Sequence, residues 1–113
     1  MLEQQQALAE TMRQAFEAND RARRGGVALA TANADFRAKR AAEVLRLRAA
    51  GMPASTAHDA AYADEGVNRA LMLAEVAQAD YDADREEVNL RKREADILRD
   101  QIRADWAAAG RVV

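Results

Sequence analysis

Cysteine is absent from the 113 residues, which removes disulfides, thiolate metal sites and cysteine nucleophiles together. One proline and five glycines leave few turns, so a β-sandwich or a repeating β/α architecture is excluded. Two Phe, two Tyr and one Trp provide too little bulk for a thick globular core or an aromatic-walled substrate pocket. Long apolar runs are missing too: no window approaches eighteen uncharged apolar residues, so no bilayer-spanning helix is expected. The opening ten residues, MLEQQQALAE, have no basic head followed by an apolar run, so no secretory signal is expected and the expected location is cytoplasmic.

What is present is alanine. Half of the chain counts as hydrophobic, but 29 residues are Ala and only 20 are Leu, Ile, Val or Phe. A formal net charge of −2 argues against plain disorder. Ala, Leu, Glu, Lys, Arg, Gln and Met are strong helix formers, and they dominate here. The fold class is therefore all-α, in one helical domain over 1–113.

Strong punctuation occurs only in GMPASTAHDAAYADEG, residues 51–66. Gly51 can close a helix in the left-handed conformation, and Pro53 prevents its continuation. Ser55 and Thr56 are good N-cap residues, with Asp59 completing a weak capping box. Asp64 can cap another helix, and Gly66 weakens any helix running through it. The reading is a long helical hairpin: helix over about 3–50, short corner helix over about 55–63, long helix over about 67–108, frayed tail at 110–113.

The last helix carries a seven-residue series, Val67, Ala74, Tyr81, Val88, Ala95 and Ile102, with Leu71, Ala70, Ala77, Leu98 and Trp106 filling the adjacent seam. A period of 3.5 sustained over six heptads is coiled-coil-like. Trp106 reads as seam packing in preference to an interface anchor. The first helix offers Leu8, Ala15, Ala22, Leu29 and Phe36, interleaved with Met12, Gly26 and Leu47. Asn19, Asn33 and Arg40 fall on the interleaved row and either set register or face solvent. The row passes through Gly25-Gly26 without a shift of phase, which predicts a continuous or slightly kinked helix whose small residues admit a close neighbour.

A second series on the last helix, Val76, Ala83, Leu90, Ile97 and Ala104, lies about 120–160° around from the first. A helix with two apolar stripes has two partners to find. The first helix is one. A second copy of the chain is the expected other, giving a homodimeric four-helix bundle. The alternative is a three-helix monomer with that stripe exposed.

Residues 1–50 carry a net charge of +3 and residues 51–113 a net of −5, which suits antiparallel pairing. If facing residue numbers sum to about 114, Arg21, Arg23 and Arg24 lie level with Arg91, Lys92 and Arg93 as a basic belt able to bind phosphates. If they sum to about 105, the same arginines meet Asp80, Asp82 and Asp84 and are neutralised.

No catalytic constellation is expected. His58 is the only histidine, and neighbouring Ser55, Thr56 and Asp59 on one turn cannot form a relay with an oxyanion site. One His with scattered carboxylates makes no metal site, and no cofactor or small-molecule substrate is expected. The acidic run DYDADREE from Asp80 lacks the glycine and terminal glutamate of a calcium loop, so it reads as a solvated helix face. The two basic runs are the nucleic-acid signal, but the sequence pI of about 5.4 and the lack of neighbouring aromatics weigh against it. Met52, His58 and Tyr62 at the corner are candidate contacts for a protein partner.

With its long charged helix, its corner Gly51-Met52-Pro53-Ala54-Ser55 and its Ala/Glu/Arg heptad helix, the chain resembles small alanine-rich helical proteins of bacteriophages and prophages of high-GC bacteria. That resemblance implies an accessory role inside the bacterial host cell: assisting phage DNA recombination or replication, or inhibiting a host defence complex by binding it. Secreted WXG-type hairpins are similar in shape, but no Trp-x-Gly stands at this corner. The reading is a non-enzymatic interaction protein, with accessory nucleic-acid binding as its alternative.

Overall fold

The computed structural model describes residues 2–112. Among these the chain forms helix α1 (Leu2–Ala49), helix α2 (Ala54–Ala60), a 3-10 turn (Ala61–Ala63) and helix α3 (Glu65–Val112), with no strand. The all-α architecture with a short corner helix follows the composition. The tail read as frayed from residue 110 is helical through Val112, and Val113 lies outside the described residues. Gly110 near a helix end lowers helicity by only about 1 kcal/mol relative to Ala, too little to stop a helix by itself.

Both long helices are supported along their exposed sides by ion pairs three or four residues apart. Arg13 bridges Glu10 and Glu17, Lys39 meets Asp35, Arg46 meets Glu43, and Arg69 meets Glu65. Such pairs contribute roughly 0.2–0.5 kcal/mol each. Their number along α1 and α3 helps keep helices of this length unbroken.

The chain divides into two compact units, one made of Met1–Arg23 with Asp82–Val113, the other of Arg24–Tyr81. In the second unit α1 turns through the corner into α3. Gly51 takes φ +100 and ends α1. The Met52 N–H donates to the Leu47 carbonyl at 3.1 Å and the Gly51 N–H to the Arg48 carbonyl at 3.0 Å, a Schellman closure. Pro53, at φ −59 and ψ 148, then precedes α2, and its carbonyl accepts the Ala57 N–H at 2.9 Å. Ser55 and Thr56 therefore lie inside the first turn of α2 and are not its caps. Proline needs no side-chain cap to set this entry, because its ring already holds φ.

Asp64 does cap. Its backbone is extended, with ψ 131, and its Oδ2 accepts the Val67 N–H at 3.0 Å, so α3 begins at Glu65. Gly66 gives that carboxylate room: a Cβ there would stand 3.2 Å from Oδ2.

The second unit closes on Val44, Ala57 and Ala61, with Leu47 and Met52 packed against them. α1 continues through Gly25-Gly26 as a helix, and Gly26 faces the Tyr81 ring. In the first unit, Ala18, Ala22 and Val88 form the buried cluster. Both seams are narrow and rich in alanine, so little apolar area leaves water along them.

Candidate interaction surfaces

The heptad row on α3 falls where its period places it. Val67, Ala74, Val88 and Ala95 are buried, while Leu71, Tyr81, Leu98 and Ile102 are half-buried. The row on α1 needs correcting. Ala22 is buried and Leu8, Ala15, Leu29 and Phe36 are half-buried, but Met12 is 47% exposed and Asn19 is exposed too. Thr11 and Ala18 are buried in their place, each one residue earlier. A close seam selects short side chains, so Thr and Ala enter where the larger Met is turned away. Beyond the glycine pair the interleaved row resumes at Gly26, Asn33, Arg40 and Leu47, all half-buried. Only this interleaved row shifts by one residue at Gly25-Gly26; the row from Leu8 to Phe36 keeps its period. Trp106, read as seam packing, is 57% exposed. Its position lies beyond Ile102, and from Arg103 to Arg111 every residue is exposed.

The basic runs meet carboxylates. In the first unit, Arg21 Nη2 lies 3.0 Å from Glu87 Oε1, and Gln4 Nε2 donates to Asp105 Oδ2 at 2.7 Å. Facing residue numbers thus sum to about 108, between the expected registers of about 105 and about 114. Glu87 stands where neither register placed it, and it also lies 3.8 Å from Arg91, which reaches Glu94 at 3.1 Å. Arg23 pairs with Asp20 at 2.7 Å, and Arg24 is engaged as well. Of the six basic residues, Lys92 and Arg93 have no ion-pair partner among the described residues. The uninterrupted belt expected at Arg21–Arg24 and Arg91–Arg93 is broken by these carboxylates.

At the corner, Tyr62 and Met52 serve the chain's own packing. Arg40 Nη1 donates to Tyr62 Oη at 2.9 Å, and its guanidinium stands 5.6 Å from the Phe36 ring centre and 6.0 Å from that of Tyr62. The two rings are 6.1 Å apart. Met52 is half-buried, whereas His58 is exposed. Among the described residues no three His, Asp or Glu side chains converge as metal ligands would.

Two surfaces on the first unit stand out. One is an open groove between α1 and α3, lined by Met12, Ala15, Phe16 and Asn19 on one side and by Lys92, Ala95, Asp96 and Arg99 on the other, with Arg99 held by Asp96 at 3.4 Å. Phe16 is 83% exposed. Its neighbourhood with two cations was not legible in the sequence, because it depends on the register between residues 16 and 92. The other is the outer face of α3, where Leu90 and Ala83 lie in a shallow depression with Glu86 and Arg93. Leu90 is 49% and Ile97 57% exposed. In the second unit Val76 is likewise 53% exposed. No helix among the described residues is long and apolar enough to cross a membrane.

Compared with known proteins, the chain matches no family model, no curated protein and no solved structure.

Proposed function

We propose that the protein is a non-enzymatic helical interaction protein that self-associates and acts by occupying the surface of another macromolecule. One observation carries this reading. The seams close on alanine and valine, while Phe16, Leu90, Ile97 and Trp106 stand largely in water. Large apolar side chains grouped on the outside of a small protein mark contact surfaces. Burying them against a second copy and a partner supplies apolar area that the narrow seams lack, at roughly 25 cal/mol per Å². The phage resemblance suits such a role, as an accessory factor or an inhibitor of a host complex in the host cytoplasm.

Sedimentation over a wide concentration range tests self-association, and affinity capture with wild type and Phe16→Glu tests the partner surface. A concentration-dependent dimer, and a specific protein retained by wild type and lost with Phe16→Glu, is the expected result. A monomer throughout, with no protein lost on substitution, overturns the reading.

A second reading, accessory nucleic-acid binding, is favoured by one feature only. Exposed Phe16 beside Lys92 offers a stacking face next to a cation that has no ion-pair partner among the described residues. Titration with single-stranded oligonucleotides at several salt concentrations separates the two.

A further inference from the structure

We infer that a second copy of this chain pairs antiparallel with the outer face of α3 in the first unit, about a twofold axis at Leu90. This rests on the self-association proposed above and assigns it a geometry. The face is symmetric in its own sequence. Ala83 and Ile97 lie seven residues before and after Leu90, and all three are exposed. An antiparallel twofold pair therefore sets Leu90 on its counterpart and the larger Ile97 of each copy over the smaller Ala83 of the other. Large against small is the arrangement that lets two helices approach without voids.

The flanking charges carry the inference further. Glu86 and Arg93 border the same depression as Leu90, and neither has an ion-pair partner among the described residues. At 100° per residue both fall within about 60° of Leu90 on the same side of the helix. Antiparallel helices bring like-named sides together, so Glu86 of each copy lies beside Arg93 of the other, twice per dimer. On the opposite side, Glu87 is already held by Arg21 and Arg91, and Glu94 by Arg91. Their negative charges near the axis are thus compensated within each chain. A parallel twofold pair would instead bring unlike sides together and set Glu86 of each copy beside Glu87 of the other, leaving the Glu86–Arg93 complement unused. A foreign partner finds no charge of one sign here to select it, whereas a second copy finds its own complement.

The test uses the full chain in sedimentation equilibrium, from micromolar to submillimolar concentration, as wild type, Glu86→Arg, Arg93→Glu and an equimolar mixture of the two variants. Circular dichroism confirms equal helicity. Each variant alone carries two repulsive pairs at the exposed rim and dimerises about ten- to a hundred-fold more weakly than wild type. The mixture forms a heterodimer in which both pairs are complementary, restoring affinity to near wild type. A wild-type dimer indifferent to both reversals, or a mixture no tighter than its components, overturns the axis and leaves self-association standing. A wild type that stays monomeric overturns both. A monomer that binds a different protein only while Glu86 and Arg93 are intact gives the face to that protein and likewise overturns the inference.

Discussion

Gly26 and Tyr81 face each other so closely that a Cβ on residue 26 would stand 3.2 Å from the ring's Cε2. The glycine costs helix α1 about 1 kcal/mol of propensity relative to alanine, and the approach of the ring is what it gains. Gly26→Leu should therefore destabilise by about 1–3 kcal/mol through overpacking, despite better helix propensity. Most of that loss should vanish in a Tyr81→Ala background. Urea denaturation of the two single variants and the double variant measures the coupling.

Asp64 starts α3 by accepting the Val67 N–H at 3.0 Å. Asp64→Ala should lower stability by about 0.5–2 kcal/mol, and Asp64→Asn by much less, since an amide oxygen accepts the same bond. Thermal denaturation of both variants checks this.

These two positions show what could be read from residues alone. Gly51, Pro53 and Asp64 act through their own backbones or side chains within a few residues, so both helix breaks were legible. The period on α3 was legible because its valines and alanines face one way throughout. Arrangements that depend on pairing were not. Which of Thr11 and Met12 enters the seam is set by how closely the helices approach, and hydrophobicity alone picks Met12. The meeting of Arg21 with Glu87 depends on the register between residues far apart in sequence, which residue types alone do not set. Phe16 joins Lys92 only once that register is known.

Arg40 ties α1 to the corner through the Tyr62 hydroxyl and two ring faces. Tyr62→Phe removes only the hydrogen bond and should cost no more than about 1 kcal/mol. Arg40→Gln loses the cation–π contacts too, worth about 0.5–1 kcal/mol at such exposed sites, and should be the more damaging change. Chemical denaturation of the pair ranks them.

Glu10 has its carboxyl held below the ordinary glutamate range, chiefly by hydrogen bonding from Arg13. A carboxyl depressed in the folded state stabilises at neutral pH, and that contribution is lost as pH falls through its folded value. Arg13→Gln should raise the titration midpoint of Glu10 toward the ordinary range. A carbon-detected NMR titration reads this directly, and because both side chains are exposed, stability should change little.

For nucleic acids the unpaired cations set a bound. Lys92 and Arg93 are the members of the two basic runs without ion-pair partners among the described residues, so about two phosphate contacts are available there. For a single strand that gives a log–log salt slope of about −1.4, far shallower than a dedicated binder shows. Fluorescence anisotropy with a labelled oligonucleotide across salt concentrations measures it. A slope several times steeper would favour the nucleic-acid reading.

The alanine-lined seams have an evolutionary corollary. The residues that hold the helices together, such as Ala18, Ala22 and Val88, are different from those that face outward, such as Phe16, Leu90 and Ile97. Substitution on the outside can thus proceed while leaving the scaffold intact, so the exterior is free to drift independently of the packing between the helices.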